Sequence, residues 1–250
     1  KIANTIFTYS DLPLTHKQNN YIKALAEGSD SILWVATITG TIWLLNNDEK
    51  TIDTILPKDI DPLLQPNSIQ SFYVNQNDEK FLLTEKGLYR YGKAGKFIRA
   101  KADSLNENES YLQTMIALND SIYLIGSRGG LLLYDEKENT LSPFQDSTFR
   151  SGTIHFLYKD RSGLVYVNRL FEGVEIFSLK NNRLNPVHSV DLKINLKYCH
   201  ETNDTLYIAT TKGIMVMSKK DYNYYFIDEP DGLPNQNVYC LLPDKTDKKA

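Results

Sequence analysis

The chain has 250 residues, 28 Lys+Arg against 31 Asp+Glu, a formal net charge of −3 and a hydrophobic fraction of 41%. That balance excludes a phosphate-neutralising nucleic-acid binder, which needs a basic excess. The steady supply of aromatic and β-branched residues excludes an acidic disordered tail. No apolar run nears the ~20 residues that span a bilayer, and two Cys cannot frame a disulfide scaffold. With no starting Met and no signal-type apolar stretch, the chain reads as mature or trimmed.

In chain order, strand-like stretches fall at 21–26 and 32–37 around a polar turn at Asp30, then after Gly40 at 41–45 and 51–56. The same succession returns at 69–74, 80–84, 88–91 and 96–100, then at 112–118, 122–126, 131–134 and 140–144. It returns twice more, at 154–158, 164–168, 174–177 and 183–188, and at 197–201, 206–210, 214–217 and 224–228. Aromatics in each second stretch (Trp34, Phe81, Tyr123, Tyr166, Tyr207) are spaced by 47, 42, 43 and 41 residues. Four short strands per period of this length describe a propeller blade. Pro143 and Pro186 place the fourth strands at sheet edges, because Pro cannot donate to a central ladder.

The expected fold is all-β, a β-propeller of four-stranded antiparallel blades at 20–66, 67–108, 109–152, 153–196 and 197–237. Residues 1–12 read as a part-blade, with a strand at 5–9 before Asp11-Leu-Pro. Residues 238–250 read as another, with a strand at 238–242 before Asp244. Propellers close to hide their edges, so 1–250 is expected to be a single domain that is a fragment of a propeller with roughly six to eight blades.

Asp231-Gly-Leu-Pro-Asn-Gln-Asn-Val-Tyr followed by Asp244 resembles the repeat of two-component regulator propellers. Asp160-Arg-Ser-Gly-Leu-Val-Tyr166 matches its Asp-x-x-Gly-x-Leu-Trp element, with Tyr for Trp. Thr84-Glu-Lys-Gly-Leu88, 33–40 and 206–213 match its Thr-x-x-Gly element. Asp11-Leu-Pro13 departs from it, with Asp where Gly is expected. The resemblance implies the periplasmic sensor region of a bacterial hybrid histidine kinase, detecting an oligosaccharide or other small molecule. It also implies signalling through adjacent domains of the parent chain, a homodimeric parent, and contact with the membrane only through that parent. The alternatives are a protein–protein interaction scaffold and a carbohydrate-active propeller enzyme.

The residues offer no catalytic motif. His16, His155, His188 and His200 lack metal-ligand spacing, no Gly-x-Ser-x-Gly elbow or phosphate loop is present, and Asp residues recur in turns, where they cap their own backbone. No catalytic residue, metal or cofactor is expected. Cys199 and Cys240 stand at equivalent repeat positions, as small buried residues of innermost strands or as a redox pair. Ligand contacts are expected where second-to-third strand loops and inter-blade connections share a face. The candidates are Arg169, Phe171 and Glu172, then Lys86, Tyr111, Arg128 and Lys212. Arg, Asn and aromatic groups can bond sugar hydroxyls and stack on a pyranose. The 169–172 loop is singled out as one residue longer than its counterparts and as exposing Phe171 between charges.

Overall fold

The second strand of each repeat is apolar on both faces, as required of a strand covered from both sides, and the first strand is covered far less. Those patterns fold as five antiparallel sheets. The structure is a computed structural model that describes residues 21–27, 31–46, 52–92, 94–102, 104–145, 149–180 and 183–242. It divides into two compact units, Lys1–Ile69 and Gln70–Ala250.

The first unit holds one sheet, β1 (Ile22–Glu27), β2 (Ile32–Thr37), β3 (Ile42–Asn46) and β4 (Ile52–Ile55), followed by a helical turn α1 (Pro57–Ile60). Val35, Trp43 and Leu45 form its buried cluster.

The second unit carries four sheets, the unit boundary falling at the start of the first of them. They are β5 (Ile69–Val74), β6 (Lys80–Thr84), β7 (Gly87–Tyr91) and β8 (Phe97–Arg99); then β9 (Leu112–Ala117), β10 (Ile122–Ser127), β11 (Leu131–Asp135) and β12 (Thr140–Pro143). The next is β13 (Ile154–Lys159), β14 (Leu164–Arg169), β15 (Gly173–Lys180) and β16 (Arg183–Val190), and the last is β17 (Leu196–Glu201), β18 (Thr205–Thr210), β19 (Gly213–Ser218) and β20 (Tyr224–Ile227). A second helical turn, α2 (Glu107–Ser110), precedes β9.

The cores of this unit lie between sheets rather than within them. Phe81, Leu83 and Leu88 pack with Tyr123, Ile125 and Tyr134. Leu124 and Leu131 pack with Val165, Val167 and Phe177. Tyr166, Val174 and Ile176 pack with Leu206, Ile208 and Met215. β10 and β14 therefore each serve two cores, alternate residues facing opposite ways. One consequence corrects the aromatic spacing. Phe81 and Tyr166 face the following sheet, whereas Tyr123 faces the preceding one and Leu124 takes the equivalent place. A slip of one residue in a strand reverses its face.

Gly173 and Gly213 open their strands because no other residue fits. Their φ values are 89° and 102°, and a Cβ would collide with the Val190 carbonyl oxygen at the first and with that of Ile227 at the second.

Five sheets are present among the described residues, where a fragment of a six- to eight-bladed propeller was expected. The strand expected at 238–242 does not form: the Val238 N–H bonds the Thr210 and Gln236 carbonyls, and no partner strand runs alongside among the described residues. The part-blade at 1–12, His16, and the turns at Asp30 and Asp244 lie outside the described residues.

Candidate functional site

The loops after the second strands are held by a recurring hydroxyl. Thr84, Ser127 and Thr210 are fully buried. Each donates to the carbonyl of the glycine three residues on, at 2.8, 2.9 and 2.9 Å. Each also accepts from the N–H two residues on, at 3.0, 3.1 and 2.9 Å. This is the physical content of the Thr-x-x-Gly element: the side chain closes a tight hairpin and leaves the two loop side chains outside. In the fourth sheet Asn168 replaces the hydroxyl. Its amide donates to Arg169, Gly173 and Ile194 carbonyls and its oxygen accepts from Leu196 N–H, tying the loop to the next sheet.

On that face Lys86, Tyr111 and Arg128 come together. They line a cleft of about 350 Å³ with Glu85, Arg99 and Glu107. The Arg128 guanidinium lies 3.4 Å from the centroid of the Tyr111 ring, a cation–π stack that leaves the guanidinium edge free to donate. The backbone is tied down on every side: Arg128 N–H to Tyr111 O at 3.1 Å, Gly129 N–H to Asn108 O at 3.1 Å, and Arg99 to Lys86 O at 2.5 Å. Arg99 and Glu107 were missed by sequence reasoning. Asn106 and Glu109 carry the signal that could have found this turn. Asn106 caps Glu109 N–H at 3.0 Å and Glu109 returns the bond at 2.9 Å, a capping box written in the sequence.

Arg169 sits apart from this cleft. It is buried, lies 4.5 Å over the Phe149 ring, donates to the Arg150 carbonyl at 3.2 and 2.8 Å, and pairs with Glu175. Burial, then the nearby Arg150 charge, lower its pKa to about 10. Glu172 pairs with Arg150 on the surface. Phe171 is 59% exposed at φ 60°, its N–H bonded to the Asn195 side chain at 2.8 Å. The loop is not the longest of its kind: three residues separate β14 from β15, three separate β10 from β11, and four separate β2 from β3. Lys212 is exposed on the hairpin before β19 and joins neither group.

The opposite face, at the first-to-second strand turns, binds its own charges. Asp160 is buried, accepts from Ser162 Oγ at 2.6 Å and Leu164 N–H at 2.9 Å, and lies 3.3 Å from the Tyr166 hydroxyl. The Asp-x-x-Gly-Leu-x-aromatic spacing is thus a turn lock. Cys199 and Cys240 are free thiols; Cys240 is exposed and outside any strand, contrary to the expectation of two buried residues on inner strands. Burial, with Glu201 and Asp160 nearby, pushes the Cys199 thiol well up, away from reactivity.

No family model and no curated protein sequence matches the chain. Solved structures do. The extracellular domain of a protein assigned as a hybrid two-component system of B. thetaiotaomicron superposes with a TM-score of 0.66 at 16% identity, over 83% of this chain and 30% of that one. A second such domain, assigned to a one-component system of that organism, gives 0.57 at 13%, over 92% and 39%. A catalytically inactive virginiamycin B lyase from Staphylococcus aureus, solved with quinupristin, gives 0.70 at 9%, over 92% and 76%. The chain therefore spans about a third of the length of these two extracellular domains. At these identities the likeness shows the fold: the five sheets are β-propeller blades. No helix among the described residues is long and apolar enough to cross a membrane.

Proposed function

We propose that this chain is a ligand-sensing portion of an extracytoplasmic, periplasmic propeller, belonging to a bacterial two-component sensor kinase and binding an oligosaccharide without chemistry of its own. The observation that carries the reading is the Arg128–Tyr111 stack in the cleft with Lys86. It offers an aromatic body, a fixed guanidinium and carboxylates within one concave site, the groups that orient hydroxylated ligands. The carboxylates Glu136, Asp160 and Glu201 of the opposite face are engaged by partners, which favours binding over glycoside hydrolysis, since that needs two carboxyl groups aimed at one bond. The likeness in fold to extracellular sensor domains supports the same reading. Signal would pass to neighbouring domains, or to a second copy of the parent, through differential ligand affinity for two arrangements.

The test is a thermal-shift screen of the chain against an oligosaccharide panel. A ligand at about 100 times its Kd stabilises the fold by about 2.7 kcal/mol. The expected result is a saturable rise with one glycan class, abolished by Arg128→Ala and by Tyr111→Ala. A flat screen, or a rise indifferent to both substitutions, overturns it. A protein partner captured without any small-molecule effect would favour the scaffold reading instead.

A further inference from the structure

A second cavity, of about 580 Å³, opens on the outer flank of the fourth blade, lined by Phe149, Arg150, Arg169, Glu175, Phe177 and the 186–189 stretch of β16. Its volume lies in the range of small-molecule sites, and three features show how it is built. The edge strand bulges: Ile176 pairs with His188 and Phe177 with Pro186, so Val187 is the extra residue and stands 44% exposed. Bulges re-aim side chains beside binding sites, and Pro186 with the bulge blocks this edge from pairing with another strand. The floor is apolar and aromatic, with Phe149 and Phe177 ring centroids 5.6 Å apart. At the rim, His188 is fixed by stacking on Tyr222, 4.6 Å between centroids and 13° between planes.

The charges divide into a buried support and an exposed hand. Arg169, 4% exposed, holds the Arg150 carbonyl with two hydrogen bonds. Arg150 projects from that fixed backbone with its side chain 68% exposed, engaged by Glu172, itself 46% exposed. An exposed pair of this kind is weak and exchangeable, whereas a guanidinium grips a carboxylate through two parallel hydrogen bonds. Among the described residues, three basic side chains, Arg150, Arg169 and His188, line the cavity against one acid, Glu175.

We propose that this cavity is a second binding site, independent of the Tyr111–Arg128 cleft, for small molecules that join an aromatic body to a carboxylate. The ring lies against Phe149, Phe177 and Val187. The carboxylate displaces Glu172 from Arg150, and Arg169 is the positioning residue.

Isothermal titration of the chain with 3-phenylpropionate and with its neutral amide tests the proposal. A probe of this size binds in roughly the millimolar range. The carboxylate should bind saturably and about tenfold more tightly than the amide, a difference of about 1.4 kcal/mol. Arg150→Ala and Val187→Asp, both at exposed positions, should each weaken it by about tenfold or more. Glu172→Ala, which removes the internal competitor, should tighten it severalfold, and Arg128→Ala should leave it unchanged. Absence of saturable binding by the folded chain overturns the proposal. So does equal affinity for acid and amide, or binding indifferent to both Arg150→Ala and Val187→Asp.

Discussion

Two carboxylates, Glu136 and Glu201, occupy similar settings between neighbouring blades and behave in opposite ways. Each accepts from a tyrosine hydroxyl, Tyr123 at 2.9 Å and Tyr158 at 2.8 Å, and each meets a cation, Arg90 at 3.1 Å and Lys219. Glu136 also faces Glu79, which shares Arg90 at 3.8 Å. Burial and then Glu79 raise its pKa, and Tyr123 and Arg90 offset only part of the rise. Burial also pushes the Glu201 pKa up, but bonds from Lys219, Tyr158 and the Arg161 N–H outweigh it and hold the carboxyl below its ordinary value. A second carboxyl in place of a third donor decides the sign.

The largest test of this contrast is Glu201→Ala. It removes the nearer carboxylate of Lys219, leaving Asp160 at 4.0 Å as its partner, and takes the acceptor from the Tyr158 hydroxyl. Leaving a buried donor without its acceptor costs about 1–3 kcal/mol, which urea unfolding would read directly. Glu136→Gln should act oppositely and raise stability at neutral pH. The pKa of Glu136 is raised on folding, so its ionised form carries a penalty above the folded pKa, and this fades as pH falls to the ordinary carboxylate value. The gain from Gln should fade over the same window. Stability contributed by Glu201 is complete above the ordinary carboxylate value and is lost as pH falls through its depressed folded pKa. Unfolding curves of the wild type and Glu201→Ala should therefore converge on acidification. If both substitutions shift stability the same way at neutral pH, the contrast fails.

Two smaller effects test the loop-bearing face, where charges are exposed rather than saturated. Phe171 at φ 60° strains its backbone, and Phe171→Gly should gain about 1 kcal/mol, visible as a higher Tm. Arg150→Ala breaks only the exposed pair with Glu172 and should cost less than about 1 kcal/mol.

The strands were legible because their signals are local. Alternating apolar residues, Asp-bearing turns and glycine-led third strands locate most strands within a residue or two, β15 running three residues past its expected end. Edge prolines marked β12 and β16 as outer strands. The candidate site was legible only in part. Lys86, Tyr111 and Arg128 converge because loops 85–86 and 128–130 and the connection before β9 share a face, a consequence of the blade order. Arg169 looked equivalent but ends a strand whose neighbour Asn168 replaces the usual hydroxyl, and it turns into the outer flank.

The amino-acid sequence by itself determined the repeat, the all-β class and the turn chemistry, since each depends on residues a few positions apart. Tertiary structure alone decided which way Tyr123 faces, which carboxylate meets a second carboxyl, and which arginine remains exposed. Those outcomes depend on groups brought together from different blades, and the free energy of a charge is set by all the neighbours that share its low-dielectric surroundings.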